Sequence, residues 1–72
     1  MFEVCYYWDG WEVMAHCDSL RKAQTICKAL AQYDSELDYG IFSETGTLLS
    51  LYSDDVEAVA GTDRFLEVTA SI

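Results

Sequence analysis

The segment YYWDGWEV, residues 6–13, places an Asp-Gly pair between two stretches that are rich in aromatic and β-branched residues. Asp-Gly in this setting is one of the strongest local signals for a β-hairpin with a two-residue loop. In that register Trp8 pairs with Trp11 and one face of the hairpin is entirely apolar. The segment therefore predicts strands over residues 2–8 and 11–17, with both tryptophans in the core.

The two faces of this predicted hairpin differ in polarity. The apolar face also pairs Phe2 with Cys17, Val4 with Ala15 and Tyr6 with Val13. The second face pairs Glu3 with His16, Cys5 with Met14 and Tyr7 with Glu12. A shift of one residue would mix the faces, so the pattern favours this register.

A helix is predicted next, over the sequence LRKAQTICKALAQY. Asp18 or Ser19 is a suitable N-cap, and we expect the last turn near Tyr33. Apolar residues recur at helical spacing and form a stripe, which we expect to pack on the tryptophan face. The stripe contains Leu20, Ala23, Cys27 and Leu30, with Ile26 and Tyr33 beside it.

The C-terminal half predicts a second hairpin, with strands over residues 39–43 and 47–52 around a turn that ends at Gly46. Alternation places Tyr39, Ile41, Leu49 and Leu51 on one face, and Phe42, Leu48 and Tyr52 on the other. Residues 54–60 fit either a short helix capped by Ser53 or a loop, and RFLEVTA fits a fifth strand. Together the elements predict a single α+β domain over residues 1–72. We expect a two-layer sandwich in which one main helix packs on an antiparallel sheet of four to five strands.

Residue types that carry chemistry are present, but their spacing matches no known site. His16 lies near Cys5 and Glu3 in the predicted register, yet this matches no standard zinc pattern, and pairing of His16 with Glu3 is the better interpretation. Asp34, Glu36 and Asp38 alternate like the first ligands of a calcium loop, but the glycine and the closing glutamate are missing. We therefore expect no metal, no cofactor and no enzymatic activity.

Cysteine count and hydropathy bear on the compartment. The odd set Cys5, Cys17 and Cys27 is not a disulfide framework, so reduced thiols in a cytoplasm are expected. No apolar run approaches the length of a membrane span, and we expect no membrane partner.

Charge is the most informative feature for function. The formal net charge is −9, and residues 34–72 carry nine acids against Arg64 alone. Direct nucleic-acid binding is disfavoured, because phosphates are bound by lysine and arginine. A basic protein surface is favoured as the partner, and the alternative is that the acids only keep the protein soluble. The acidic candidates for partner binding are Asp34, Glu36, Asp38, Glu44, Asp54, Asp55 and Glu57.

Excess apolar surface is the second informative feature. One helix covers one face of the sheet, so Tyr7 and Met14 should remain on the uncovered face, together with Cys5 and some of Phe42, Leu48 and Tyr52. Such a patch marks a protein interface, and a homodimer is one outcome. The alternative is that residues 54–72 fold back over part of this face.

A strongly acidic β-β-α-β-β chain without a catalytic motif resembles the small phage-encoded inhibitors of host defence, namely anti-CRISPR proteins and DNA-mimic antirestriction proteins. The resemblance covers residues 2–52 and is one of architecture and acidity. It implies an inhibitor that binds a host nucleoprotein complex, often at its nucleic-acid channel. The basic residues Arg21, Lys22 and Lys28 depart from a pure DNA mimic.

Overall fold

The computed structural model describes residues 1–53 and 56–70. In the described ranges the elements are β1 (Phe2–Tyr7), β2 (Trp11–Cys17), α1 (Leu20–Tyr33), β3 (Asp38–Phe42), β4 (Leu48–Ser53), β5 (Val56–Val59) and α2 (Asp63–Ala70). All neighbouring strands are antiparallel, in the order β2-β1-β3-β4-β5. The predicted α+β class is confirmed, with one main helix on a five-stranded antiparallel sheet.

The first hairpin is confirmed, but its predicted register holds only for half of its length. Near the open end, Phe2 pairs with Cys17, Glu3 with His16 and Val4 with Ala15, as expected. A β-bulge then leaves Met14 as the extra residue of β2, and the later pairs are Cys5 with Val13, Tyr6 with Glu12 and Tyr7 with Trp11. The predicted pairs Tyr6–Val13, Cys5–Met14, Tyr7–Glu12 and Trp8–Trp11 are therefore wrong, because the bulge absorbs one residue of β2.

The bulge also changes the turn and the position of Trp8. The loop now contains three residues, of which Asp9 and Gly10 have φ angles of 58° and 127°. The Trp8 amide donates to the Gly10 carbonyl oxygen over 3.0 Å, and the Trp8 residue is 70% exposed. The prediction that Trp8 lies in the core is wrong, since Trp8 belongs to the turn and not to a strand.

Helix α1 begins and ends as predicted. Ser19 is the N-cap, and its hydroxyl accepts from the Lys22 amide over 3.2 Å. The buried residues are Ala23, Cys27 and Ala31, whose spacing of four residues gives a narrow strip of small side chains. This strip packs on Val4, Cys17, Tyr39, Ile41 and Tyr52. The helix therefore covers the expected face of the first hairpin, but neither tryptophan belongs to this core.

The second hairpin has the expected turn and an unexpected bulge. Gly46 has a φ of 83°, as the three-residue loop requires, and the Ser43 amide donates to the Thr47 carbonyl over 2.9 Å. In β4, Leu49 is the extra residue between the pairs Ile41–Ser50 and Phe42–Leu48. Tyr52 therefore lies on the α1 face and Leu51 on the second face, the reverse of the prediction.

The C-terminal segment folds differently from the expectation. Val56–Val59 is a strand where a helix or loop was expected, and Asp63–Ala70 is a helix where a strand was expected. The Thr62 hydroxyl accepts from the Phe65 amide over 3.3 Å, which caps the first turn of α2.

Helix α2 covers part of the sheet face opposite α1, which we call the second face. Leu51 and Ala58 point to that face and are buried, and α2 contacts both β4 and β5. Val59, on the α1 side of β5, is 45% exposed. The alternative that the C-terminal residues fold back over the second face is thus confirmed for the β4–β5 side. Neither helix in the described ranges is long and apolar enough to cross a membrane.

Candidate functional site

Strand topology brings several acidic residues to one end of the sheet. Tyr7 ends β1 and pairs with both Trp11, which begins β2, and Asp38, which begins β3. The β1–β2 turn and the loop from α1 to β3 therefore lie at the same end. We call this the acidic end, and it comprises Asp9, Asp34, Glu36 and Asp38 together with Trp8 and Tyr33.

The loop that carries most of these acids is held by local hydrogen bonds. The Asp34 amide donates to the Leu30 carbonyl over 2.8 Å, and Asp34 Oδ1 accepts from the Glu36 amide over 3.1 Å. The Tyr39 hydroxyl donates to the Asp34 carbonyl over 3.3 Å, which ties the loop to β3. The acidic side chains therefore project from a loop whose backbone is held by hydrogen bonds at both ends.

Two large aromatic side chains at this end are exposed, and the sequence reasoning missed both. Trp8 is 70% exposed and Tyr33, the last residue of α1, is 92% exposed. Both had been assigned to the apolar side of their element. The available signal for Tyr33 was helical periodicity, because a residue two positions after the buried Ala31 lies on the opposite side of the helix.

Glu44 lies at the opposite end of the sheet. It belongs to the β3–β4 turn and pairs with the N-terminal amine of Met1. The hydrogen bond from that amine, with its charge, lowers the pKa of the Glu44 carboxyl. Asp54 and Asp55, also candidates for partner binding, lie outside the described residues.

Glu57 takes part in contacts within the molecule. Its Oε2 accepts from the Tyr52 hydroxyl over 2.8 Å and from Gln24 Nε2 over 3.4 Å. The Tyr52 hydroxyl also approaches the Gln24 carbonyl at 3.4 Å. Burial, with the hydrogen bond to Glu57 next, raises the pKa of Tyr52. Glu57 thus joins β5 to α1 and β4 through one carboxylate oxygen, and its role in partner binding stays a prediction.

The Tyr52–Glu57 contact gives a stability prediction. Tyr52→Phe should lower the free energy of unfolding by about 1–2 kcal/mol, because the Glu57 carboxylate loses a buried donor. A tyrosine in the unfolded chain ionises near pH 10, and the pKa of Tyr52 in the folded protein is higher. The stability that Tyr52 contributes is therefore present below about pH 10 and is lost as the pH rises above it. Urea denaturation of wild type and Tyr52→Phe at rising pH measures both effects.

Tyr33→Phe, at an exposed position, is the matched control for loss of one hydroxyl. It should leave the free energy of unfolding unchanged. Equal effects of the two substitutions would contradict the assignment of Tyr52 to a stabilising contact.

Tyr7 lies on the second face in a row of three aromatic rings. The Tyr7 and Trp11 ring centroids are 5.2 Å apart at an interplanar angle of 71°, and Trp11 and Phe42 are 5.2 Å apart at 76°. Such edge-to-face contacts stabilise beyond their buried area. Tyr7 was expected opposite the tryptophans, but it contacts one of them, because the bulge moved Trp11 to the second face.

Met14, the other apolar candidate, lies on the edge strand β2. It is 47% exposed, and the adjacent Val13 is 50% exposed. Val13 pairs with Cys5 and therefore lies on the second face, on the same strand as Trp11. Val13 and Met14 therefore give β2 an exposed apolar surface, and Val56 on β5, 47% exposed, gives the other edge of this face a second one.

The histidine and cysteine side chains form no recognisable catalytic arrangement. His16 Nε2 lies 3.3 Å from Glu3 Oε2, which confirms their expected pairing. The three thiols are free and buried, and burial, the main cause, raises the pKa of Cys27 to about 12. A thiol with this pKa is protonated at neutral pH and is a weak nucleophile. In the described ranges no three His, Cys, Asp or Glu residues are grouped to hold a metal ion.

No protein-family model, curated protein or solved structure matches this chain. The acidic end and the exposed part of β2 are the two surfaces that contain sequence-predicted site residues.

Proposed function

We propose that the protein is a non-enzymatic acidic binding protein that inhibits a host nucleoprotein complex, such as a CRISPR effector, by docking on its basic nucleic-acid-binding surface. If the protein is phage-encoded, it acts in the bacterial cytoplasm. The observation that carries this proposal is the acidic end, where Asp9, Asp34, Glu36 and Asp38 share one end of the sheet.

Electrostatics supports a basic partner. The turns of the acidic end contain neither lysine nor arginine, and the whole chain has a net charge of −9. Acids concentrated on one end attract a basic groove over several ångströms and raise the rate of encounter. The same field repels nucleic acid, so the protein would compete with nucleic acid for the groove without binding nucleic acid itself.

The exposed aromatic residues provide the short-range part of such an interface. Trp8 and Tyr33 are large, and tryptophan and tyrosine are enriched among the residues that dominate binding energy. The face of either ring can also bind an arginine guanidinium by a cation–π contact. A basic groove offers both the charge for the carboxylates and the guanidinium groups for the rings.

The proposal predicts a kinetic effect of neutralising the acidic end. Replacing Asp34, Glu36 and Asp38 with Asn, Gln and Asn should slow association with the partner about tenfold at low salt, because steering acts on the encounter. The dissociation rate should change less. The measurement is surface plasmon resonance at low and high salt with the partner recovered from a bacterial lysate, followed by competition with nucleic acid.

A second triple variant serves as the charge-matched control. Glu44→Gln, Asp63→Asn and Glu67→Gln remove the same charge from other parts of the surface. This control should slow association much less than the first triple variant. Equal slowing would mean that only net charge matters, and no slowing by either would mean that the acids serve solubility. An Asp54→Asn, Asp55→Asn double variant tests the two candidates outside the described residues.

A second candidate function is a small self-associating subunit, favoured by the exposed Val13 and Met14 beside the aromatic row. If this surface joins two copies, Met14→Lys should abolish a dimer that sedimentation velocity detects in wild type at high concentration. Glu12→Lys, on the same strand but the other face, is the control. A wild-type monomer at every concentration would reject this candidate.

A further inference from the structure

A groove near the start of α1 differs in charge from the rest of the molecule. It has a volume of about 850 Å³, and its walls are the first two turns of α1 and the end of β2. Of the five Lys, Arg and His residues in the chain, three line this groove: His16, Arg21 and Lys22. Asp18 also lines the groove. His16 pairs with Glu3, so Arg21 and Lys22 are the cations that a ligand would meet.

The position of the two cations is unfavourable for the helix. The first turn of a helix favours acidic side chains, because the amide groups there carry partial positive charge. In α1 this turn contains Arg21 and Lys22 and no acidic residue. The first turn of α1 thus carries two cations in a protein with thirteen acids. An anionic group bound there would offset their unfavourable interaction with the helix dipole.

The existing ion pairs leave these cations available. Lys22 Nζ lies 3.0 Å from Asp18 Oδ1, and both side chains are about two-thirds exposed to solvent. Exposed pairs of this kind contribute little, so an incoming carboxylate can replace Asp18. Neither an ion pair nor a side-chain hydrogen bond involves the Arg21 guanidinium among the described residues.

The second wall indicates the shape of the ligand. β2 is an outer strand of the sheet and pairs only with β1, so its outer edge has no strand partner in the described structure. An extended peptide can pair with such an edge while its side chains contact the neighbouring helix. A small anion would contact the cations but leave this edge unpaired.

We propose that this groove binds an extended acidic segment of a partner protein, which adds as a strand to the edge of β2 and places its carboxylates against Arg21 and Lys22. This inference is independent of the proposed function, because it uses the other end of the molecule and the opposite charge. It gives the protein two binding surfaces, one for a basic and one for an acidic partner.

The test uses a fluorescein-labelled peptide of alternating glutamate and valine, with a lysine–valine peptide of equal length for comparison. Fluorescence anisotropy should show saturable binding of the acidic peptide. The Arg21→Glu, Lys22→Glu variant should lose at least about tenfold in affinity, as for close charge pairs. Its thermal stability should be equal or higher, because acids now occupy the first turn of α1. Measuring the melting temperature of this variant beside wild type separates loss of binding from loss of the fold.

The matched control is Lys28→Glu with Arg64→Glu, which makes the same change in net charge outside the groove. It should leave the affinity nearly unchanged, and Asp18→Asn should raise the affinity by removing the competing carboxylate. Hydrogen exchange should show new protection of β2 amides when the acidic peptide binds.

Three results would overturn the proposal. These are no saturable binding of the glutamate–valine peptide, equal weakening by the control pair, or binding without protection of β2. Sedimentation gives a further outcome, since self-association of wild type that the Arg21→Glu, Lys22→Glu variant abolishes would make a second copy the occupant instead.

Discussion

Trp11→Ala should lower the free energy of unfolding by about 3 kcal/mol, whereas Trp8→Ala should lower it by less than about 1 kcal/mol. The two tryptophans flank the same turn, but their surroundings differ. The Trp11 ring contacts Tyr7 and Phe42 edge-to-face and lies over the backbone at Gly40. Trp8 is 70% exposed in the turn. Removing the Trp11 ring leaves a gap between packed side chains. Removing the Trp8 ring leaves a space that solvent fills.

Chemical denaturation of the two variants, followed by far-ultraviolet circular dichroism, measures this difference. Trp8→Ala is the control, because it removes an indole ring without changing the packing of the core. Equal costs for the two variants would contradict the bulged register at Met14, because the unbulged register pairs both rings on one buried face. A low cost for Trp8→Ala also makes this variant suitable for testing the role of Trp8 in partner binding.

The sequence was sufficient to predict the hairpins and the helix but not the bulges. Asp9-Gly10, Gly46 and the Ser19 cap are local signals, and each acts within a few residues of the structure it specifies. A β-bulge has no such signal at Met14 or Leu49, because its free energy depends on packing between strands that are distant in sequence. The bulge at Met14 places the Trp11 ring on the second face, where it extends across β1 to Gly40 on β3.

The C-terminal assignments failed for a different reason. Apolar residues in a segment of only four to eight residues fit a strand and a helix nearly equally, and tertiary contacts then decide between them. Ala58 becomes a buried strand residue by pairing with Leu51, and α2 starts at a cap provided by Thr62. The cap was visible in the sequence, but the expectation of a strand over RFLEVTA ignored it.

The positions of the site residues could be predicted where they depend on the ends of helices and strands, but not where they depend on a bulge. Asp34 and Asp38 follow directly from where α1 ends and β3 begins, so their place at one end of the sheet could be predicted. Glu57 could not be placed, because the bulge at Leu49 reversed the direction of Tyr52 and thereby created the hydrogen bond to Glu57. The exposure of Trp8 was likewise a consequence of the bulge at Met14.

Gly40→Ala should lower the free energy of unfolding by about 1–3 kcal/mol, the usual range for overpacking. A Cβ atom at Gly40 would lie 2.9 Å from Trp11 Cη2 and Cζ3 and from Leu48 Cδ1. The Leu48 methyl is the end of a flexible side chain and can rotate away. The Trp11 ring is held between Tyr7 and Phe42, so it cannot move without breaking those contacts.

A double-mutant cycle with Trp11→Phe identifies the ring as the cause. Phenylalanine lacks the outer ring of tryptophan, which contains both of the close atoms. In the Trp11→Phe background Gly40→Ala should cost less than about 0.5 kcal/mol, because the clash is relieved and alanine loses less conformational entropy than glycine. Gly46→Ala is the control: it has open space around it but a φ of 83°, so its cost should be the same in both backgrounds. An unchanged cost of Gly40→Ala in the Trp11→Phe background would mean that Leu48 or the strand backbone, and not Trp11, excludes a side chain at Gly40.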